Sequence, residues 1–413
     1  MARVLPQPVH TYRVGGSVRD ELLGLPQADR DWVVVGATPE TMIASGYRPV
    51  GRDFPVFLHP ETREEYALAR TERKHGTGYR GFEFFASPEV TLEQDLARRD
   101  LTINAMARDE RGGLVDPYGG ARDLEAGLLR HVSPAFAEDP LRVLRVARFA
   151  ARFGFAVAPR TEGMMRAIVR SGELATLAAE RVWQEIARGL MESRPSRMLA
   201  VLRQCGALAA LFPEVDALFG VPQPPAHHPE IDAGVHIAQA LDYAAGRGFD
   251  LAVRYAVLGH DLGKGATPRD AWPRHLGHEA KSLRLVERLS MRLRVPVDCR
   301  DAARLAARYH ADVARAEALR PATLLDLLLA ADALRRPARL SGLFEACEAD
   351  RNSRPGREHD GDAPGEWLVS ALGVVRGVDA GAIARSAPAS AVERAIRDAR
   401  LKALRGWRSS TGR

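Results

Sequence analysis

Strand-like patterning is confined to residues 1–130 of this 413-residue chain, and that asymmetry restricts the folds open to it. Runs rich in β-branched and aromatic residues, bounded by glycine and proline, predict short strands at 12–14, 32–35, 56–59 and 65–69. Beyond Asp139 the apolar residues recur at helical spacing, over 141–153, 179–191, 196–211, 280–293 and 321–334. We therefore predict an α+β protein, with an N-terminal α/β head followed by an all-α body.

Two stretches that cannot continue a helix divide this body. Residues 219–229 contain four prolines, and each proline removes a helical amide donor and clashes with the preceding turn. Residues 351–365 are polar and rich in glycine and proline. These breaks predict four regions, a head at 1–138 and helical regions at 139–220, 221–350 and 351–413.

The basic residues are almost all arginine. Lys and Arg total 59 against 53 Asp and Glu, which gives a net charge of +6, and only four of the 59 are lysine. This balance is compatible with a polyanionic partner. A GC-rich genome, which the many alanines also suit, explains the arginines equally well.

Cysteine usage and hydropathy argue against secretion and membrane insertion. Cys205, Cys299 and Cys347 are odd in number and lack CxxC spacing, so neither a disulfide framework nor a thiolate zinc site is predicted. The N-terminus lacks the apolar segment of a signal peptide, and we expect no apolar run of the ~18 residues that a membrane span needs. These features predict a cytoplasmic protein.

A glycine-rich motif lies where the first predicted strand gives way to a helix. Residues 14–20 read Val-Gly-Gly-Ser-Val-Arg-Asp. Ser17 is a candidate N-cap, and the helix N-terminus together with Arg19 offers amide and guanidinium donors to a phosphate. A tight turn without a ligand has the same signature, so the motif alone leaves both interpretations open.

Paired carboxylates follow within ten residues. Asp29 and Asp31 run into the strand 32–35, and residues two apart on a strand project to the same face. Two carboxylates so close favour a divalent cation, as in sites that activate an attacking hydroxyl and stabilise a leaving pyrophosphate. Glu65, at the start of the strand 65–69, is a candidate third carboxylate; a solvated turn is the alternative for the pair.

Four motifs in this order resemble those of the class II tRNA nucleotidyltransferases, the CCA-adding enzymes. They are GGSVRD at 15–20, DRD at 29–31, RRDLTINA at 98–105 and EDPLR at 138–142, and the likeness to the multifunctional bacterial form extends over most of the chain. The resemblance implies a polymerase-beta-like head that binds Mg²⁺ at Asp29 and Asp31. The nucleotide contacts that it implies come from Gly16, Arg19, Arg99, Arg145 and Arg148, with Arg98 and Asp100 in the same motif.

Arginines recur every three residues in the first long helical pattern. Arg142, Arg145 and Arg148 form one stripe on a helix that Asp139 and Pro140 open. A solvated helix face is the common meaning of such a stripe, and a row of nucleotide contacts is the alternative that the neighbouring motifs favour.

The same motif suggests how a nucleotide is chosen without a template. On their Watson–Crick edges, cytosine and adenine both present an amino donor beside an unprotonated ring nitrogen. Uracil and guanine present a carbonyl beside N–H on the same edge. A carboxylate acceptor with an arginine donor fits the first pattern and leaves unpaired groups against the second. We hypothesise that Asp139 and Arg142, preceded by Glu138, accept CTP and ATP and reject UTP and GTP.

A histidine–aspartate constellation lies in the region 221–350. His260 and Asp261 end an apolar helical run, with His236 a helix earlier and Asp332 several helices later. The set resembles the HD phosphohydrolase superfamily, and on that match these four residues bind a divalent metal, with transition metals among the options. Lys264 is then positioned for a phosphate. A lone histidine on an apolar helix is more often a core residue than a ligand. Four histidine and aspartate residues in this order favour a metal site.

Further histidines accompany this set. His278 and His310 are candidates for a second metal or for substrate contact, and His275 lies beside them in sequence. The superfamily implies metal-dependent phosphatase, 2′,3′-cyclic phosphodiesterase or 2′-nucleotidase activity, and the sequence does not identify the phosphoester.

We therefore predict a template-independent enzyme that adds C, C and A to tRNAs lacking all or part of CCA, from CTP and ATP, as a monomer or homodimer. The helical body would hold the tRNA by its backbone and shape. A poly(A) polymerase shares the head motifs but usually carries a basic tail in place of an HD module. A uridylyltransferase of a signalling protein also joins the two modules but is much longer. An RNA-binding protein with a decayed site is the non-enzymatic alternative, and the complete motif set counts against it.

Overall fold

The computed structural model describes residues 9–26, 30–50, 56–74, 82–225, 230–354, 356 and 363–410. Asp29, one of the two predicted metal carboxylates, lies outside these residues. The chain forms two compact units, one of residues 1–185 and 197–211 and the other of residues 186–196 and 212–413.

All described strands lie in the first unit. In chain order they are β1 (His10–Val14), β2 (Asp31–Val35), β3 (Arg48–Val50), β4 (Val56–Leu58), β5 (Glu65–Leu68), β6 (Arg70–Lys74), β7 (Phe82–Ala86), β8 (Ala107–Arg108), β9 (Leu114–Val115), β10 (Leu128–Leu129) and β11 (Ala156–Val157).

Seven of these strands form one mixed sheet in the order β3-β4-β5-β2-β1-β8-β9. Its neighbours are antiparallel except for β2 and β5, which are parallel and place Asp31 beside Glu65. β6 pairs with β7, and β10 pairs with β11, outside this sheet. The four strands predicted from the sequence are confirmed, with ends that differ by up to two residues.

The two faces of the sheet bury different apolar clusters because successive strand residues point to opposite sides. Val33 packs in a cluster with Val14, Ala69 and Leu96, whereas its neighbour Val34 packs in the other cluster. Burial on both faces explains the apolar run of β2.

Eight α-helices of the described residues begin in the first unit. They are α1 (Gly16–Leu22), α2 (Pro39–Ala44), α3 (Leu92–Ala97), α4 (Gly120–Glu125), α5 (Leu141–Phe153), α6 (Pro159–Ser171), α7 (Ala179–Met191) and α9 (Ala207–Leu211). Between the last two, α8 (Pro195–Gln204) begins two residues before the chain returns to that unit. α5 and α7 have the predicted bounds. The predicted helix 196–211 is divided into α8 and α9, because Gly206 has a φ of +85°.

All regular elements described in the second unit are helices, joined by turns and loops. Its helices are α10 (Pro213–Asp216), α11 (Ala233–Gly246), α12 (Leu251–Gly259), α13 (His278–Leu293), α14 (Val297–Ala314), α15 (Pro321–Ala330), α16 (Ala338–Asn352), α17 (Ala363–Arg376), α18 (Ala380–Ser386) and α19 (Val392–Ser410). The α/β head and α-helical body predicted from the sequence are confirmed.

The change of unit near 211 precedes the region boundary predicted at 220. Residues 212–221 belong to the second unit and are bonded to the start of α11. The Gly234 amide donates to the Leu218 carbonyl and the Ala233 amide to the Val221 carbonyl, both at 3.0 Å. The finer division into four regions stays a prediction.

One stretch passes the length and hydropathy test for a membrane span, so the expectation that none exists is wrong. Pro364–Ser386 meets the test, with 22% of its apolar window buried. The backbone divides it into α17 and α18, with Arg376 and Asp379 at the break. Each helix is shorter than the ~20 residues that cross a bilayer.

Candidate functional site

A cavity of about 550 Å³ in the first unit contains most of the residues predicted for the nucleotidyltransferase site. Glu65 and Glu138 are not among its described lining residues, and Asp29 lies outside the described part of the chain. The predicted residues that line it are Gly16, Arg19, Asp31, Arg98, Arg99, Asp100, Asp139, Arg142, Arg145 and Arg148.

Nine of the described lining residues are arginines, so the cavity is built for an anion. Sequence reasoning missed Arg70, Arg152 and Arg181. Arg152 continues the stripe of α5 at helical spacing, so extending the period would have found it. Arg181 lies on α7, and no local pattern connects it with the site.

The cradle at the start of α1 depends on Gly15. This residue, not Ser17 as predicted, is the N-cap, because the Ser17 hydroxyl donates to the Val14 carbonyl instead. Gly15 has a φ of +70°, and a Cβ atom there would lie 2.7 Å from Nη1 of Arg99. Glycine therefore permits both the turn and the close approach of Arg99.

Arg19 is a buried, fixed cation. Its guanidinium donates to Asp20 and to the Asn104 side chain, and it lies over the rings of Phe149 and Phe153 at 5.3 and 5.0 Å. Burial lowers the pKa of Arg19 from its usual value, although Asp20 opposes that effect. The charge is held in one orientation beside the α1 amides.

Asp100 organises two neighbours of this cation. Arg145 Nε donates to its Oδ2 at 2.7 Å, and Asn104 Nδ2 donates to its Oδ1 at 2.9 Å. Burial raises the pKa of Asp100, but Arg145, the Asn104 amide and Arg142 together outweigh burial and hold that pKa well below its usual range. Asp100 is thus an anion that positions Arg145.

The arginine stripe of α5 is not a solvated face. Arg142 and Arg148 are 8% and 7% exposed. Arg148 Nε donates to Glu185 at 2.7 Å, and Arg152 donates to Asp20 at 3.1 Å. Carboxylates of α7 and α1 therefore hold Arg148 and Arg152 in the cavity.

Asp139 and Arg142 both line the cavity, but each has another partner. The Asp139 carboxylate accepts from the Leu141 amide at 3.0 Å and from Arg181 Nη2 at 3.1 Å. Arg142 donates to the backbone carbonyls of Ala135 and Arg98. The carboxylate is thus oriented by Arg181, a partner that the sequence did not indicate.

The described carboxylates fit a divalent cation. Asp31 and Glu65 are paired in register on parallel strands, so their side chains leave the sheet on the same face. Both residues are exposed, and carboxylate oxygens are the ligands that Mg²⁺ prefers.

Two groups of metal-ligating side chains lie in the second unit. Within 4.8 Å of one another are ligand atoms of His236, His260 and Asp350 in one group, and of Asp261, His278 and His310 in the other. Because Asp261 also lies 3.2 Å from His260 Nε2, the two groups are adjacent.

Asp332 is in neither group, so the structure does not bring it together with the other predicted ligands, His236, His260 and Asp261. It follows α15 with a φ of +51°, and its carboxylate accepts from Arg335 at 2.8 Å. Asp350, near the end of α16, supplies the late carboxylate, 3.0 Å from His236 Nε2. Several carboxylates follow the His-Asp pair in sequence, and nothing local distinguishes Asp350.

The histidines present Nε2 to the cluster because Nδ1 is engaged elsewhere. Nδ1 of His260, His278 and His310 donates to the carbonyls of Val257, His275 and Ala306 at 2.8, 2.8 and 2.9 Å. Nδ1 of His236 lies 3.0 Å from the Glu230 carboxylate. Carbonyl and carboxylate partners on Nδ1 fix the tautomer that metal-ligating histidines use.

The second group fits a cation for an electrostatic reason. His278 Nε2 and His310 Nε2 are 3.2 Å apart, and both rings carry a proton on Nδ1. Burial lowers the pKa of His310 to about 4, so its ring is neutral at neutral pH. Burial also lowers the pKa of His278, but the hydrogen bond and charge of Asp261 together outweigh burial and raise that pKa. A cation in place of the His278 Nε2 proton would meet two imidazole nitrogens and a carboxylate, donors that suit a transition metal.

The loop after Asp261 packs closely on the first turn of α13. A Cβ atom at Gly263 would lie 2.1 Å from the His278 carbonyl oxygen, so only glycine fits. Lys264 Nζ lies 2.6 Å from Asp261 and donates to the Gln223 side chain. His275 bonds the Pro222 carbonyl and belongs to neither ligand group.

Comparison with known proteins gives the family. The Poly A polymerase head domain matches residues 11–130, and the probable RNA and SrmB-binding site of polymerase A matches 154–219. The multifunctional CCA protein of Nitrosomonas europaea is 64% identical over 90% of both chains. That of Azoarcus sp. is 59% identical over 97% of this chain and 98% of its own.

A solved structure shares the fold. The Bacillus stearothermophilus CCA-adding enzyme in complex with CTP is 24% identical, with a TM-score of 0.64, over 97% of this chain and 89% of that one. At this identity the likeness concerns the fold alone. On the identity and coverage of its curated relatives, the chain belongs to the family of multifunctional CCA proteins.

Proposed function

We propose that the first unit adds C, C and A to the 3′ end of tRNA from CTP and ATP, with release of pyrophosphate. The arginine-lined cavity carries this proposal. It brings together Asp31, a predicted Mg²⁺ ligand, and Asp139 with Arg142, the predicted base-selecting pair. The names of the relatives, and structures of the same fold in complex with CTP, ATP and tRNA, support it. A tRNA substrate also favours a cytoplasmic location.

The triphosphate would lie against fixed cations. The α1 amides and Arg19 face one side of the cavity, and Arg145, Arg148 and Arg152 extend from α5. Asp29 and Asp31, with Glu65 beside Asp31, would hold Mg²⁺, which when bound activates the terminal ribose hydroxyl and neutralises the leaving pyrophosphate.

Nucleotide choice would require Arg142 to change partners. The amino group of cytosine or adenine would donate to the Asp139 carboxylate, which Arg181 keeps in position, and Arg142 would turn from its backbone carbonyls to the ring nitrogen. On their Watson–Crick edges uracil and guanine present a carbonyl beside N–H, so they would leave these groups unpaired.

A transfer assay tests this function. The purified chain is given Mg²⁺, single nucleotides or CTP with ATP, and tRNAs that end before CCA, after C or after CC. We expect ordered addition that stops at CCA, lost in Asp31→Asn and retained in the matched control Glu40→Gln, an exposed carboxylate on α2. Unlimited addition of A would indicate a poly(A) polymerase, and no incorporation would indicate a binding role.

We also propose a metal-dependent phosphohydrolase in the second unit. Four Nε2 atoms and two carboxylates converge there, a donor set that suits a transition metal better than Mg²⁺. His236, His260 and Asp350 would hold one ion and Asp261, His278 and His310 a second; a metal bound there supplies an activated water and a Lewis acid. Lys264 Nζ lies 2.6 Å from Asp261, where it would contact the phosphate of a substrate.

Asp350 and Asp332 provide a matched pair of variants for this site. Asp350→Asn should lose bound transition metal and hydrolysis of 2′,3′-cyclic AMP, whereas Asp332→Asn should retain both. Metal content by mass spectrometry, before and after chelation and reloading, is the measurement. Equal metal loss in both variants, or in neither, would contradict the assignment of Asp350.

A further inference from the structure

One side of α13 carries a cation at nearly every turn. Lys281, Arg284, Arg288 and Arg292 follow one another at intervals of three, four and four residues. At 3.6 residues per turn these positions fall on one side of the helix, about 80° wide. The two acidic residues of α13, Glu279 and Glu287, lie on other sides, so the stripe is uniformly basic.

Three of these cations form no salt bridge with the described residues. Arg292 is held by Glu214 through two bonds of 2.8 Å, and Arg288 lies near enough to the same carboxyl to help lower its pKa. Lys281 donates to the Ala266 carbonyl at 3.4 Å. Among the described residues, Arg284 and Arg288 lie within salt-bridge distance of no carboxylate, and both are exposed. The nearby Glu287 is engaged with Arg304 at 3.0 Å.

The cations border a groove with an apolar floor. A groove of about 460 Å³ is lined by Lys281, Arg284 and Arg288 together with the apolar side chains of Ala266, Leu285 and Met291. Glu287 also lines it, and Arg304 neutralises that carboxylate. Met291 is 67% exposed, which is unusual for an apolar residue on a helix that packs on a core. Cations along an apolar surface suit a strand whose phosphates and bases are both accessible.

The groove lies along the helix whose first residue belongs to the histidine–aspartate cluster. α13 begins at His278, a member of that cluster, and Lys281, Arg284 and Arg288 lie about 4.5, 9 and 15 Å further along the helix axis. Ala266 belongs to the loop that follows Asp261. A polyanion lying on the stripe therefore has one end beside the metal ligands.

We propose that the α13 groove, defined by Lys281, Arg284, Leu285, Arg288 and Met291, binds the single-stranded 3′ end of an RNA. The groove delivers the terminal phosphoester to the cluster, so that the second unit acts on RNA ends in preference to free nucleotides. This inference rests on the proposed phosphohydrolase. Charge complementarity selects the occupant: a single strand supplies one phosphate per nucleotide, whereas a free nucleotide cannot reach beyond the first cation.

The test compares two substrates that share one phosphoester. Metal-loaded wild-type chain and the double variant Arg284→Gln/Arg288→Gln receive 2′,3′-cyclic AMP and an RNA oligonucleotide that ends in a 2′,3′-cyclic phosphate. The matched control is Lys402→Gln/Arg405→Gln, two exposed cations on α19. A second readout is independent of activity: 4-thiouridine near the RNA 3′ end is photo-crosslinked to metal-free chain, and the attached peptides are identified by mass spectrometry.

We expect the ratio of kcat/KM for RNA to that for cyclic AMP to fall about 25-fold at 0.1 M salt in the stripe variant, because two phosphate contacts contribute about −1.4 to the log–log salt slope. The control should keep the wild-type ratio, and crosslinks should lie on α13. An unchanged ratio with crosslinks elsewhere would overturn the groove.

The other outcomes separate the two proposals. Hydrolysis of neither substrate by the metal-loaded wild type would overturn the phosphohydrolase, while the crosslink map would still decide for or against the groove. An unchanged ratio, together with retention on anionic phospholipid vesicles that the stripe variant loses, would assign these cations to a lipid surface and overturn RNA binding.

Discussion

At the scale of single residues, Arg181 is the contact that decides how Asp139 is presented. Without its guanidinium, the Leu141 amide remains as the described donor to that carboxylate. Because a hydrogen bond to a charged group contributes about 1.5–3 kcal/mol, we expect Arg181→Ala to reduce the preference for CTP over UTP by roughly 10- to 100-fold. Single-nucleotide incorporation kinetics measure this preference.

Arg188→Ala is the control for this prediction, because Arg188 is exposed on the same helix and does not line the cavity. A preference for CTP that stays at the wild-type value in Arg181→Ala would show that Asp139 is oriented by other contacts.

The pair of Asp100 and Arg145 makes the stability of the first unit depend on pH. Burial raises the folded-state pKa of Asp100, but Arg145 and the neighbouring donors hold it below the unfolded value. The stability that this carboxylate contributes is therefore complete above the unfolded pKa of about 3.9, and it is lost as pH falls through the folded value. Asp100→Asn should lower the free energy of unfolding by about 1–3 kcal/mol at pH 7. In urea titrations the difference from wild type should narrow below pH 4, and a difference that is constant with pH would contradict the pairing.

At the scale of elements, one arginine joins two helix ends in the second unit. Arg254 of α12 is 4% exposed and donates to the carbonyls of Leu190 in the last turn of α7, of Glu192 just beyond it, and of Phe249 before α12. Arg254→Met leaves these acceptors unsatisfied, and we expect the free energy of unfolding to fall by about 2–4 kcal/mol. Arg247→Met, which removes an exposed ion pair with Glu348, should cost less than about 1 kcal/mol in the same denaturation experiment.

The contact between Gly263 and α13 links a loop to His278, one of the proposed metal ligands. Because a Cβ atom at Gly263 would meet the His278 carbonyl at 2.1 Å, Gly263→Ala must move the loop away from the helix. We expect at least a 10-fold weaker affinity for transition metal, by analogy with other changes that disturb ligand orientation. Gly246→Ala at the end of α11, where a Cβ atom would meet nothing within 4 Å, should bind metal as the wild type does in the same titration.

At the scale of the whole molecule, each described site is built within one unit. The cavity residues come from the first unit, and both ligand groups come from the second. Asp31→Asn should therefore stop nucleotide addition and leave metal content unchanged, and Asp350→Asn should do the reverse. Loss of CCA addition in Asp350→Asn, with circular dichroism like the wild type, would show that the two activities depend on each other.

The sequence by itself determined the α/β head, the bounds of α5 and α7, and most residues that line the cavity. These features are local: side-chain period fixes which residues share a face, and two separate motifs, at 15–20 and 98–105, identify Gly16, Arg19 and Arg99. The same period brought Arg142, Arg145 and Arg148 to one side of α5.

The tertiary structure alone decided which distant groups meet. Arg181 reaches Asp139 from another helix, and Asp350, not Asp332, joins His236 and His260, because α16 packs on α11 and α12 while the backbone after α15 turns Asp332 toward Arg335. A carboxylate's role as a ligand depends on packing between helices far apart in sequence, and no local pattern records that packing.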